Sequence, residues 1–277
     1  MRIATWNVNS VVARLPRLLE WLQDTAPDAV CLQETKIADS GFPVDAVAEL
    51  GYQVATHGDG RWNGVAILSK VGLDDVVRGL ANAPGYPDPE ARAVGARCGD
   101  VRLWSVYVPN GREPGHDHYH YKLAWLAALR DVVAADLERA DRLAVMGDFN
   151  VAPTDADVWD PAVFTASTHV TPAERAALAA LLATGLVDVV PRPLKYDYPF
   201  TYWDYRAGNF HKNLGMRIDL VYATPSVAEA ATDAYVDREA RKGKGPSDHA
   251  PVVVDLDQSR LRRSTPGTLQ PEWADTS

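Results

Sequence analysis

Two segments far apart in the chain, Gly147-Asp148-Phe149-Asn150 and Ser247-Asp248-His249-Ala250-Pro251, combine carboxylates with a carboxamide and an imidazole. Each adjoins an apolar strand-like run, so each puts a carboxylate at the rim of a buried sheet. Asn7, in Ala4-Thr5-Trp6-Asn7-Val8-Asn9, and Glu34, in Cys31-Leu32-Gln33-Glu34-Thr35-Lys36, end two further runs of that kind. Oxygen ligands, a base, and a cation to meet departing charge are what metal-assisted attack of water on a phosphate ester requires.

Each residue also has a plainer reading. The hard carboxylate of Glu34, carried out at the C-terminal end of a strand where ligand sites gather in open α/β sheets, suits Mg²⁺ or Mn²⁺; the lesser alternative is a capping or loop glutamate. Asn7 alone is a turn former, and only its pairing with Glu34 promotes it. Asp148 can take the proton of a water that Asn150 holds, although turn chemistry also accounts for Asp-x-Asn. His249 directly before a buried strand is an unusual surface choice, the alternative being a solvated loop histidine. Asp219, two residues after Arg217 in an otherwise apolar strand, would be costly to bury unpaired. Pairing with His249 would orient the imidazole and raise its pKa; pairing with Arg217 would make it structural. Tyr107 suits either a phosphate oxygen or the core, and Asn110 in Pro109-Asn110-Gly111 reads first as a turn residue.

His116-Asp117-His118-Tyr119-His120 resembles a zinc cluster, but it lies between a Gly/Pro-rich loop and a helix, without cysteine or a distant fourth ligand. A DNA-facing or merely exposed loop is the expectation there. The chain has no phosphate-cradling Gly-rich loop followed by Lys-Ser/Thr and no G-x-S-x-G, which disfavours ATP-driven and serine-hydrolase chemistry.

The elements that must position these residues alternate between strand and helix, as in layered α/β folds. Strands are expected at Arg2–Val8, Asp28–Gln33, Asn63–Ser69, Ala93–Cys98, Val101–Val108, Leu143–Met146, Met216–Tyr222 and Pro251–Leu256. Helical spacing appears at Leu15, Leu18, Leu19 and Leu22, and at Leu126, Leu129, Val133 and Leu137. Thr171-Pro172-Ala173-Glu174 predicts an N-cap, a first-position proline and a third-position glutamate, opening a helix to about Thr184.

The 277 residues, 47% hydrophobic, suffice for a sizeable core, with residues 1–256 expected as one domain. Residues 257–277 turn polar and are expected to be poorly ordered, with Trp273 as their only anchor. Met1 runs straight into a strand without a signal-peptide pattern, and no apolar stretch approaches the roughly 20 residues of a membrane span. Cys31 and Cys98 read as buried thiols, so a cytoplasmic protein is expected. The formal charge of −9 argues mildly against nucleic acid, yet locally basic flanks occur at Arg206, His211, Lys212 and Arg217, and at Arg238, Arg241, Lys242 and Lys244.

Together the segments resemble the exonuclease III / apurinic-apyrimidinic endonuclease family, within the wider endonuclease–exonuclease–phosphatase superfamily, from about Met1 to Leu256. The match rests on Trp6-Asn7-Val8-Asn9-Ser10, Leu32-Gln33-Glu34-Thr35-Lys36, Trp62-Asn63-Gly64-Val65-Ala66, Val106 to Gly111, Gly147 to Val151, Met216-Arg217-Ile218-Asp219 and Lys244 to Pro251. The resemblance implies an α/β fold built as a four-layer αββα sandwich, two packed mixed sheets flanked by helices. It implies a Mg²⁺-dependent repair nuclease, with Mn²⁺ substituting, that acts as a monomer on double-stranded DNA bearing abasic sites or damaged 3′ ends.

By the same resemblance Asn7 and Glu34 hold the metal, with Asp148, Asn150, Asp248 and His249 as further ligand candidates. Tyr107, Asp148, Asn150, Asp219 and His249 form the catalytic set. Asn110, Arg112, Tyr202, Trp203, Arg206, Met216, Ile218, Arg241 and Lys242 are the expected phosphate and DNA contacts. Met216 stands where some relatives carry Trp, and Asn9 where some carry Asp. A lipid or inositol phosphatase of the same superfamily, or a binding protein that has lost its metal residues, is the rival; here every metal position is filled.

Overall fold

A computed structural model describes residues 1–80 and 86–263. Its strands form two six-stranded sheets. The first contains β1 (Arg2–Asn7), β2 (Ala29–Gln33), β3 (Gln53–His57), β4 (Val65–Ser69), β11 (Ala231–Val236) and β12 (Val252–Leu256), in the order β11-β12-β1-β2-β4-β3. The second contains β5 (Asp74–Arg78), β6 (Ala93–Cys98), β7 (Val101–Tyr107), β8 (Leu143–Asp148), β9 (Val187–Asp188) and β10 (Asp219–Ala223), in the order β5-β6-β7-β8-β10-β9. Helices are α1 (Val11–Thr25), α2 (Val44–Ala48), α3 (Asp117–Leu137), α4 (Pro172–Leu182), α5 (Asn209–Lys212), α6 (Pro225–Ala230) and α7 (Gln258–Arg263).

The alternation of side chains along each strand explains the continuous apolar runs. Ile3, Ala29, Cys31 and Ile67 from the first sheet meet Leu103, Ala144, Met146 and Val221 from the second in one core. The opposite face of the first sheet, through Ala4, Trp6, Val30 and Leu32, packs on Leu18, Trp21 and Leu22 of α1. Trp104, Val106, Val145 and Leu220 pack on Trp125, Leu126 and Leu129 of α3 and on Leu178 and Leu181 of α4. Helix, sheet, sheet and helix therefore stack in that order, as the resemblance implies.

The capping signals are also realised. Thr171 and Glu174 form the reciprocal capping box of α4, with Pro172 at its start. His116 caps α3, its side chain accepting from His118 N, while His118 Nδ1 accepts from Gly111 N. Those two imidazoles hold the loop onto the helix. Among the described residues the metal-competent group of His, Cys, Asp and Glu side chains lies elsewhere.

Several expectations need correction. The strand expected over Met216–Tyr222 starts at Asp219; before it, Met216 makes isolated bridges to Val158 and Tyr202. Strands β3, β5, β9 and β11 went unread, because their partly exposed, polar-rich sequences sit at or near sheet edges. The expected disordered tail begins as helix α7, whose Leu261 is buried in the inter-sheet core; Trp273 lies outside the described residues. No helix among the described residues is long and apolar enough to cross a membrane.

Candidate active site

Strand register brings the distant segments to one end of both sheets. Parallel β1 and β2 pair Asn7 with Gln33, so Asn7 and Glu34 leave the sheet side by side. Parallel β7 and β8 pair Tyr107 with Asp148, and antiparallel β8 and β10 pair Asp148 with Asp219. Strand β12 runs antiparallel to β1, with Val252 opposite Thr5, which sets His249 at the same rim. Gly147 is required by this packing: a Cβ there would lie 2.0 Å from the Val106 carbonyl oxygen. The turns carry backbone strain as well, with positive φ at Asn9, Glu34, Lys36 and Asn150.

Asp148 is the hub. It is 2% exposed, and its Oδ2 accepts from Asn7 Nδ2 at 2.9 Å, while the same amide donates to Glu34 Oε1 at 2.9 Å. Asp148 Oδ1 accepts from the Asn150 backbone N–H at 2.9 Å. His249 Nε2 stands 3.7 Å from Asp148 Oδ2, and its Nδ1 meets Asp219 Oδ2 at 2.7 Å. Ligand atoms of Glu34, Asp148 and His249 all lie within 4.8 Å of one another. The Asp219–His249 pairing is thus realised; Arg217 instead bridges Asp157 at 2.6 Å and Asp188 at 2.9 Å.

Electrostatics follow from burial and neighbours. Burial pushes the Asp148 carboxyl upward, Asp219 and Glu34 add to the rise, and His249 opposes it. Burial works against a charged His249, but Asp219 and then Asp148 overcome it and raise its pKa to about 10. Glu34 is held below its ordinary range, despite burial, by Lys36 at 2.8 Å and by Asn7. Tyr107 is raised by burial and by the carboxylates of Glu34 and Asp148, so its phenol keeps its proton. An acid, a base and a cation share one buried rim.

The remaining expected residues divide. Asn110 Nδ2 donates to Asn150 Oδ1 at 3.3 Å, joining the Pro-Asn-Gly turn to the hub. The Tyr202 ring lies 4.9 Å from the His249 ring, and Tyr202, Met216 and Arg112 line an open cleft of about 560 Å³ with Trp159, Phe164 and His169. Arg206 is exposed and paired with Asp204. Asp248 lies outside the Glu34–Asp148–His249 group and accepts from Asn9 Nδ2 at 3.1 Å.

Three expected DNA contacts are misplaced. Trp203 is fully buried, with the Arg238 guanidinium 4.4 Å from its ring centre. Ile218 is buried among Ala152, Val158 and Met216. Arg241 is buried and donates to the carbonyls of Ser247 and Trp203, so it braces the loop before His249 from inside. Lys242, beside it, is exposed and paired with Glu239 at 2.6 Å.

Lys122 is absent from the sequence reading and Glu174 enters it only as a helix cap, although the two lie directly behind the site, 2.5 Å apart and both fully buried. The available signal was Lys122 itself, which occupies the apolar stripe of α3 between Tyr119 and Leu126 at helical spacing.

The comparisons agree with this geometry. A model of the Endonuclease/Exonuclease/phosphatase family matches residues 4–249. Exodeoxyribonuclease III of Haemophilus influenzae is 30% identical, over 92% of this chain and 100% of the relative. The 3′-5′ exonuclease NExo of Neisseria meningitidis superposes with a TM-score of 0.88 at 38% identity, over 93% of this chain and 100% of that one. An AP endonuclease from Archaeoglobus fulgidus gives 0.87 at 35% identity, over 93% and 99%. With matching motifs, fold and site, the chain belongs to the endonuclease/exonuclease/phosphatase family.

Proposed function

We propose that this protein is a Mg²⁺-dependent DNA-repair nuclease, active as a monomer in the cytoplasm on double-stranded DNA. Its reaction is hydrolysis of the P–O3′ bond, which unites removal of 3′-terminal groups, 3′-5′ trimming and incision on the 5′ side of an abasic site. The observation that carries this reading is the buried Asp148 hub, with Glu34 and the Asp219-bound His249 converging on it.

The residues fit a hard divalent ion. Glu34 and Asp148 offer carboxylate oxygens, and Asp219 Oδ1 is buried without a hydrogen-bond partner among the described residues. Three carboxylates therefore face one imidazole and one lysine. Asn7 ties Glu34 to Asp148 and completes the oxygen-rich rim, with Mn²⁺ able to substitute for Mg²⁺. When bound, the ion would offset phosphate charge and stabilise the departing oxygen.

The chain's own groups supply the rest. Asp148, its pKa raised by burial, takes the proton of the attacking water, which Asn150 positions. The water oxygen bonds to phosphorus as the P–O3′ bond breaks, and the departing O3′ takes a proton from solvent water to leave a 3′-hydroxyl. His249, cationic through Asp219, donates to a non-bridging phosphate oxygen, together with Tyr107 and Asn110. With Nδ1 engaged by Asp219, His249 has only Nε2 free to serve the phosphate. Tyr202 and Met216, with Arg112, line the cleft that receives the terminal sugar.

End-labelled duplexes carrying a 3′-phosphate, a single abasic site or an intact recessed end test this directly. Cleavage to 3′-hydroxyl products with Mg²⁺, abolished by EDTA, is expected. Turnover of an inositol phosphate or sphingolipid, with all three duplexes left intact, would overturn it.

A further inference from the structure

Behind the turns that carry Asn110 and Asn150 sits a buried ammonium. Lys122 Nζ donates to Glu174 Oε1 at 2.5 Å, to the Asn150 carbonyl at 2.6 Å and to the Asn110 carbonyl at 3.1 Å, with Thr168 Oγ1 at 3.4 Å. Glu174 answers from the first turn of α4. It accepts from Thr168 Oγ1 at 2.7 Å, from His169 N and Thr171 N at 3.0 Å each, and from Thr171 Oγ1 at 2.8 Å. Neither side chain is exposed at all.

A buried pair of this kind contributes little net stability, because desolvation offsets the attraction. What it does here is hold backbone. Asn150 has φ 51°, and Gly111, after Asn110, has φ 93°. A Cβ on Gly111 would lie 2.6 Å from Thr168 Oγ1 and 3.0 Å from Lys122 Cδ, so the Pro-Asn-Gly turn seats directly on the lysine. From the two carbonyls, hydrogen bonds run forward to the reacting groups. Asn110 Nδ2 meets Asn150 Oδ1 at 3.3 Å, and Asn150 N meets Asp148 Oδ1 at 2.9 Å.

We propose that Lys122 and Glu174 are positioning residues for the hydrolysis. Their ion pair clamps the Asn110 and Asn150 turns together, and through them aims both carboxamides and the Asp148 carboxylate. The inference rests on the nuclease reading above and extends it to two residues that touch no substrate. The clamp also joins helices α3 and α4, each supplying one half of it.

The test uses the full chain with Mg²⁺ and a 3′-phosphate duplex. Lys122→Met/Glu174→Met removes both charges and leaves neither unpaired; Glu174→Gln keeps the shape and weakens the pair. Thermal unfolding, kcat and KM are measured for each, in the wild-type background and in Asn110→Ala/Asn150→Ala. A folded double variant is expected to lose about 10–100-fold in kcat with KM within about twofold, since small misplacements act on the chemical step. Glu174→Gln should lose about threefold or more, and it carries the comparison alone should the double variant not fold. In the Asn110→Ala/Asn150→Ala background either loss should shrink, because the carboxamide route is gone while the bond from the Asn150 backbone N–H to Asp148 Oδ1 remains.

Wild-type kcat in folded variants, or equal losses in both backgrounds, would overturn the positioning role. Wild-type protein inert toward every duplex would instead overturn the nuclease reading on which it rests.

Discussion

The 2.7 Å contact between Asp219 and His249 decides which form of the imidazole meets substrate. Burial alone would leave the ring neutral, and the two neighbouring aspartates reverse that, raising its pKa to about 10. Asp219→Asn removes the larger of the two opposing charges while preserving shape. The variant's kcat should fall on the order of 10²–10⁴-fold. Its alkaline limb should move to lower pH, because the proton on His249 is then lost at a lower pH than in the wild type. A kcat–pH profile checks this; an unshifted limb would show that Asp219 does not maintain the cation. At this scale the sequence was most legible where a residue type was out of place, as with His249 before a buried strand and Asp219 within one. It was least legible in direction: Trp203 and Arg241 lie in the right segments, yet both turn inward.

Elements were legible where burial on both faces wrote an unbroken apolar run, as in β2, β4 and β8, or where a capping box marked a helix start, as at Thr171. The loop from Asp237 to His249 carries no such pattern, and it is fastened by cations donating to its carbonyls. Arg17 reaches those of Ala240, Lys242 and Lys244, and Arg241 reaches that of Ser247. Such a brace cannot be distinguished from a phosphate contact by composition, since both read as basic residues near the motif. The two roles separate by experiment. Arg241→Ala should destabilise the fold by about 2–4 kcal/mol, leaving two buried carbonyls unpaired, with the salt dependence of DNA affinity unchanged. Lys242→Ala should leave stability nearly intact and flatten that dependence by about 0.9 in log–log slope, the amount expected for one phosphate contact. A flattened slope in Arg241→Ala would place its guanidinium on DNA after all.

For the whole molecule, what the sequence could not show is the order of the strands. Strand β1 lies between β2 and β12, a neighbour some 250 residues away, and only register across that distance brings His249 to Asn7 and Glu34. The site therefore straddles the two sheets, with Asn7, Glu34 and His249 from the first and Asp148 and Asp219 from the second. An ion held by Glu34 and Asp148 would bridge the layers, and only the folded chain assembles both ligands. Mg²⁺ should therefore stabilise the whole fold by linkage. At ten times its dissociation constant the gain is about 1.4 kcal/mol, or a Tm rise of about 3–6 °C for a domain approaching this size. Glu34→Gln should reduce that rise at the same Mg²⁺ concentration, since it removes a charged ligand from one of the two sheets. Thermal unfolding in EDTA and in increasing Mg²⁺ reads both effects. An unchanged Tm at concentrations that saturate activity would mean that the ion is not held between the sheets, and that the convergence of carboxylates there serves another purpose.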